Sequence, residues 1–201
     1  MRELSLHILD LLENALEAGA TRVDLSIDEN LDADWLTLTV RDDGRGMDAE
    51  TARRALDPFF TTRTTRHVGL GLPLLAAAAR RCDGDLALES APGQGTTVTA
   101  TFRHSHLDRA PLGDMAATLL AFLLSREGDP PQLCYNHQRD GWAFELDSAV
   151  VQAEVGGLPF SYPPLRDWLA AYIAQGEAEL RDNLTGWVQR DGGTNAKAQN
   201  N

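Results

Sequence analysis

Between Glu3 and Ala18, the apolar residues Leu4, Ile8, Leu11, Leu12, Ala15 and Leu16 recur at intervals of three and four. That is the period of an amphipathic helix, and Gly19 supplies its stop. Two alternating stretches follow, Val23, Leu25, Ile27 and then Leu36, Leu38, Val40, joined by the turn-prone DENLDAD. They predict an antiparallel pair of strands with one buried face. Asp48 sits where a side-chain cap would start a short helix over AETARRAL. A longer helix opens at Pro73, reads LLAAAARR and ends by Cys82. The strands LALES and TTVTATF come next, the second alternating Val98, Ala100 and Phe102 with threonines as a half-buried strand does. Further on lie an apolar helix from Met115 to Leu124, a proline break at Asp129 to Pro131, and a hairpin of QLCYNH and WAFELD. A helix starting at Pro163 and Pro164 then runs through Trp168, Tyr172 and Ile173. The tail DGGTNAKAQNN has the composition of a disordered segment, and no internal repeat is visible.

Charge narrows the partners. The 201 residues carry a formal charge of −12, which argues against nucleic acid or an anionic membrane surface as the main partner. No apolar run approaches bilayer length, and the amphipathic start lacks a signal-peptide pattern, so a cytoplasmic location is expected. Cys82 and Cys134 are too few for a disulfide framework and lack metal-ligand spacing. Arg53, Arg54, Arg63 and Arg66 cluster around a single acid, Asp57, against this acidic background, which favours an anion site beside the neighbouring glycines.

Four polar clusters carry candidate chemistry. Asp10 and Asn14 lie one turn apart on the first helix and share a face. Asparagine is a mediocre helix former, so Asn14 suggests a carboxamide oxygen for a Mg²⁺ shell completed by phosphate and water. At the end of the second strand, Asp42 with Gly44 and Gly46 offers a carboxylate that can accept an exocyclic amino proton of adenine. The loop from Asp57 to Leu72, DPFFTTRTTRHVGLGL, contains Gly69 and Gly71, runs into the Pro73 helix, and has Arg63 and Arg66 upstream. Free amides at that helix start, with two guanidinium groups, suit phosphate oxygens. Finally, Thr96 after Gly95 places a hydroxyl at the mouth of the last of these strands.

These clusters, in this order, resemble the GHKL or Bergerat-fold ATPases, which include gyrase, the large heat-shock chaperone, sensor histidine kinases and MutL. The resemblance covers roughly the first half of the chain. ENALEAGATRVDLSI looks like the MutL asparagine helix, whereas DPFFTT, the short lid, GLGLPLL and APGQGTTVTATF look like the sensor kinases. It implies ATP contacts from Asn14, Asp42, Gly44, Gly46, Met47, Phe60, Thr61, Thr62, Arg63, Arg66, Gly69, Leu70, Gly71, Leu72 and Thr96, with Mg²⁺ on Asn14. It also implies an α/β two-layer sandwich over residues 1–104, helices lying on a mixed, mostly antiparallel sheet. A smaller C-terminal α/β unit over 105–189 and a tail over 190–201 would follow. That unit is expected to bind a regulatory protein partner or to form a homodimer, with His137 isolated in it and Trp142, Trp168 and Trp187 in its core.

The departures bear on activity. Asp10 stands where hydrolytic relatives carry a water-orienting glutamate one methylene longer. Glu17 occupies a position where kinases commonly carry a basic residue, and His67 replaces a glycine. The family's phosphoacceptor histidine usually precedes the ATP domain, and here that domain starts at residue 1. Just after it, His106, Arg109, Pro111 and Leu112 reproduce a His-x-x-Arg-x-Pro-Leu spacing, with Leu107 in place of the usual acid. Asp10 and His106 are thus the candidate catalytic residues. The expected function is Mg-ATP-dependent, either regulatory phosphotransfer or slow hydrolysis. A non-catalytic ATP sensor and an anti-sigma-type serine kinase are the alternatives.

Overall fold

The computed structural model describes residues 2–57, 71–126 and 131–191, with side chains described as far as 182. Its centre is a six-stranded sheet. In chain order the strands are β1 (Arg22–Asn30), β2 (Trp35–Asp42), β3 (Leu86–Ser90), β4 (Thr96–Arg103), β5 (Gln132–Arg139) and β6 (Trp142–Asp147), arranged β3-β4-β2-β1-β5-β6. Every neighbouring pair is antiparallel except β1 and β5. The helices are α1 (Leu4–Glu17), α2 (Ala49–Arg54), α3 (Gly71–Arg81), α4 (Met115–Leu123), α5 (Ser148–Glu154) and α6 (Pro163–Asp191). Among the described residues, no helix is long and apolar enough to cross a membrane.

Alternation along the strands decides which face is covered. Val23, Leu25 and Ile27 on β1, Leu36, Leu38 and Val40 on β2, and Val98, Ala100 and Phe102 on β4 are all buried. They form one core with Leu4, Ile8, Leu11 and Leu12 of α1 and with Leu75, Ala76 and Ala79 of α3. Each such leucine or isoleucine, fully removed from water, stabilises the fold by about 1.5–3 kcal/mol. The intervening positions stay polar. Thr39 and Thr99 face each other across β2 and β4 with their hydroxyl oxygens 3.4 Å apart. This is the two-layer sandwich that the sequence resemblance implies.

The C-terminal half differs from the expected separate unit. The hairpin forms over the anticipated residues, yet β5 pairs in parallel with β1, placing Val23 opposite Leu133 and Ile27 opposite His137. Without it β1 would present a row of unpaired backbone groups. α4 packs on α1, and α6 packs on both α4 and β6, so the appended segment completes the same sandwich. Gly176 explains how α6 comes so close: a Cβ there would run into the ring of Phe144. Trp142 and Trp168 are not in the core as expected but 45% and 50% exposed. Trp168 stacks instead on Tyr172 one turn along α6, with ring centroids 5.2 Å apart. Trp187 and the tail lie outside the described side chains.

Candidate functional site

Three elements converge at the end of the sheet where β2 stops and β4 begins. Asp42 closes β2 opposite Thr96 in the register. Its Oδ1 accepts the Gly44 amide at 2.8 Å, and the Thr96 amide also donates to the carboxylate. Burial pushes the Asp42 carboxyl above the usual range, with the two amides opposing that effect and neighbouring Asp43 adding to it. Asp43 itself turns the other way. Its Oδ1 accepts the amides of Thr21 and Arg22 at 2.8 and 2.9 Å, and its Oδ2 accepts the Thr21 hydroxyl at 2.6 Å. Burial alone would raise the Asp43 pKa, but these donors together lower it. Of two adjacent aspartates, one anchors the start of β1 and the other is left for the site.

The glycines after Asp42 have physical reasons. A Cβ at Gly44 would lie 2.8 Å from the Ala18 Cβ and 2.9 Å from Asp42 Oδ1, on top of the carboxylate. Gly46 and Gly95 have φ of 64° and 75°, values unfavourable for other residues. A side chain at either would meet backbone, the Ala91 carbonyl for Gly46 and the Asp42 carbonyl for Gly95. Ser90 sews these loops together, although nothing in the sequence reading singled it out. Its Oγ accepts the Met47 amide at 2.8 Å, donates to the Gly95 carbonyl at 2.9 Å and lies 3.0 Å from Thr96 Oγ1. The signal available was a hydroxyl on the last residue of a strand running into APGQG.

The first helix is tied to the same turn. The Arg45 amide donates to the Ala18 carbonyl at 3.0 Å and its guanidinium to the Glu17 carbonyl at 2.8 Å. Asn14, half-buried, therefore lies about 6 Å back along the α1 axis from the residue that touches Gly44. Asp10, also half-buried, lies one turn further back and meets α3. A Cβ on Gly71 would lie 3.1 Å from Asp10 Cβ and 3.3 Å from its Oδ2. The first turn of α3, with the positive end of its dipole, thus abuts the face that carries Asp10 and Asn14. Leu72 is half-buried and packs against the core. Phe60, Thr61, Thr62, Arg63, Arg66, His67, Gly69 and Leu70 lie outside the described residues.

His106 does not join this group. It follows the far end of β4, an eight-residue strand spanning roughly 23 Å at ~3.3 Å per residue from Thr96. Its Nδ1 accepts the Asp108 amide at 3.1 Å, so Asp108 offers the ring a backbone donor. Arg109 folds back, its Nε donating to the His104 carbonyl at 2.6 Å. The kinase-like spacing is present in sequence but forms a turn.

Taken together, the geometry offers a desolvated carboxylate at one end, a carboxamide and a second carboxylate on a neighbouring helix, and a helix start facing them. Among the described residues, no group of three or more His, Cys, Asp or Glu side chains is placed to hold a metal. A carboxamide oxygen such as that of Asn14 is chemically suited to a Mg²⁺ ion that takes most of its oxygens from phosphates and water.

Comparison with known proteins bears on the family and the fold. The model of a family described as histidine kinase-, DNA gyrase B-, and HSP90-like ATPase matches residues 2–106. The sensor protein kinase FleS of Pseudomonas aeruginosa is 46% identical over 92 residues, covering 46% of this chain and 23% of that protein. The heme sensor protein HssS of Staphylococcus saprophyticus is 34% identical over 97 residues, covering 47% and 21%. The sensor histidine kinase RcsC of Escherichia coli is also 34% identical over 97 residues, covering 46% and 10%. This chain thus spans less than a quarter of the length of each of these three relatives. Among solved structures, the N-terminal domain of a DNA repair protein superposes with a TM-score of 0.53 at 13% identity, covering 73% of this chain and 53% of that one. That likeness concerns the fold.

Proposed function

This chain belongs to the histidine kinase-, DNA gyrase B-, and HSP90-like ATPase family, and from that premise we propose that it binds Mg-ATP between α1, the end of β2 and the start of α3. The observation that carries the reading is Asp42. A half-buried carboxylate is held by backbone amides while adjacent glycines keep its approach clear. Such an acceptor pairs with the exocyclic amino group of adenine. Thr96 borders the same position through its hydrogen bond with Ser90. Phosphates would then extend along α1 towards Asn14 and the first turn of α3, where helix amides and dipole favour negative charge. Asn14 would hold Mg²⁺, which when bound neutralises phosphate charge.

Asp10 is the group we assign to orienting a water or acceptor hydroxyl at the far phosphate. It is shorter than glutamate, but the absence of a side chain on Gly71 brings α3 against it, so that the terminal phosphate can approach from the helix start. The activity proposed is slow hydrolysis or transfer of the terminal phosphoryl group to a protein. For His106, which lies in a turn beyond the end of β4, a second copy of the chain is the proposed phosphoryl donor. The residues beyond 106 are proposed to face a regulatory protein partner.

Incubation of the purified chain with γ-labelled ATP and Mg²⁺ tests this. Labelled inorganic phosphate, or label on protein, that is lost in Asp10→Asn supports a catalytic domain. Nucleotide binding without any turnover would assign the chain as an ATP sensor. Failure of Asp42→Asn to weaken ATP binding would remove the nucleotide site itself.

A further inference from the structure

A second polar cluster is buried far from the nucleotide residues, where β1, β5 and α6 meet. His137, which the sequence reading leaves isolated, is 2% exposed and lies between two glutamates that are each 7% exposed. Its Nε2 is 3.0 Å from Glu29 Oε1 on β1, and its Nδ1 is 3.0 Å from both oxygens of Glu177 on α6. A neutral imidazole has one N–H and one lone pair, so one of these nitrogens would point a lone pair at a carboxylate. A ring carrying two protons donates to both carboxylates at once, as neither neutral tautomer can.

The surroundings hold this charge in place. Tyr135 of β5 donates its hydroxyl to Glu177 Oε1 at 2.7 Å, and the Arg139 guanidinium lies 3.7 Å from Glu29 Oε1. The second oxygen of Glu29 is 2.6 Å from His104 Nε2, in the turn after β4. From β6, the Phe144 ring packs edge-on to Tyr135 and adds no charge. The turn from His104 leads to Pro111 and Leu112, whose carbonyls accept the first amides of α1, from Leu4 and Ser5, at 2.9 and 2.7 Å. Glu29 thus links α6 to the segment that caps the helix bearing Asp10 and Asn14.

We propose that His137 is a doubly protonated clasp that holds the middle of α6 on the sheet, and that loss of its proton opens this part of the helix locally. With a neutral ring, two buried carboxylates would face each other across a group able to satisfy only one of them. Gly176, next to Glu177, has no side chain to offset that repulsion and already sits against the Phe144 ring.

The electrostatics agree with the geometry. Burial works against the His137 charge, but the hydrogen bonds with Glu177 and Glu29 outweigh it and push its pKa up to about 9. Burial likewise works against the Glu29 charge, but His137 and His104 bring it down to about 2. A raised histidine stabilises fully below its unfolded value of 6.5 and loses that effect as pH rises through about 9. A lowered glutamate stabilises fully above 4.5 and loses that effect as pH falls towards about 2. The clasp is therefore at full strength between these unfolded values and fades above them towards the alkaline side.

The test uses the full chain. Ring ¹⁵N shifts of His137 should show an imidazolium at pH 7.5 and one transition near pH 9. Amide exchange of residues 173–181, corrected for the intrinsic base-catalysed rate, should accelerate through the same transition. Glu177→Gln removes one carboxylate and should lower the His137 transition by about one pH unit or more. A neutral His137 at pH 7.5 would overturn the proposal. So would α6 protection that stays constant while His137 loses its proton. Should Glu177→Gln fail to fold, the two wild-type titrations decide alone.

Discussion

Replacing Gly44 with alanine is the most direct test of the adenine contact proposed for Asp42. Its φ is not in the positive range, so the added methyl group brings contact without backbone strain. The new Cβ would stand 2.8 Å from Ala18 Cβ, where carbon atoms normally rest about 3.5–4.0 Å apart. It would also stand 2.9 Å from Asp42 Oδ1 and 3.0 Å from the Ala18 carbonyl. Overpacking of this kind costs about 1–3 kcal/mol. The softest relief is rotation of the Asp42 carboxylate, which breaks its 2.8 Å bond with the Gly44 amide, a charged hydrogen bond contributing about 1.5–3 kcal/mol. With that hydrogen bond lost at Asp42, ATP should bind about 10- to 100-fold more weakly, at ~1.4 kcal/mol per tenfold. Calorimetric titration with Mg-ATP measures this. Gly93→Ala is the control: its φ is 72° with nothing within 4 Å of the new Cβ, so it brings backbone strain alone. Equal falls in melting temperature for the two variants, with unchanged ATP affinity in Gly44→Ala, would refute the assignment of Asp42.

Three further outcomes are expected. Because burial raises the Asp42 pKa, the charged form is disfavoured in the fold; the residue destabilises at neutral pH, and this penalty fades as pH falls. Asp42→Asn should therefore hold or raise the melting temperature while weakening ATP binding, and wild-type affinity should fall on acidification earlier than for an ordinary aspartate, as calorimetry at stepped pH will show. Ser90→Ala removes the acceptor of the Met47 amide and the donor to the Gly95 carbonyl. At about 1–3 kcal/mol for unpaired groups, thermal denaturation should show a fall of roughly 3–10 °C. Asp10→Asn should leave ATP affinity within about threefold of wild type, because a group acting only in the transition state adds little to ground-state binding, and abolish phosphate release in a turnover assay.

Much of the sandwich can be read directly from periodicity. The alternation of Val23, Leu25 and Ile27 and of Leu36, Leu38 and Val40 matches β1 and β2, because one face of each is packed under helices and the other is not. Asp48 caps α2 as expected, its side chain accepting the Thr51 amide at 2.7 Å. Candidate positions were legible where close approach forces the residue type, as at Gly44, Gly46 and Gly95. What escaped depended on contacts between distant segments. Asp42 and Asp43 are chemically identical and differ only in which loop each faces. Ser90 acts through two backbone groups whose positions no local pattern encodes. The parallel pairing of β5 with β1 joins residues more than a hundred positions apart, and it alone turns His137 from an isolated ring into the centre of an ion chain. His106 is a different case: its spacing with Arg109, Pro111 and Leu112 was legible, whereas its place in a turn beyond β4 was not.

The insertion of β1 between strands from both halves of the chain has a practical consequence for dissection. The family boundary near residue 106 cuts across a sheet, not between two bodies. A fragment ended there would lose the partner of one side of β1 and the cover that α4 gives α1, leaving a sticky strand margin and a greasy helix flank. The residues proposed to hold nucleotide would all be present, yet their supporting helix would rest on half a foundation, so poor behaviour of such a fragment would reflect the cut and say little about the chemistry of the whole chain.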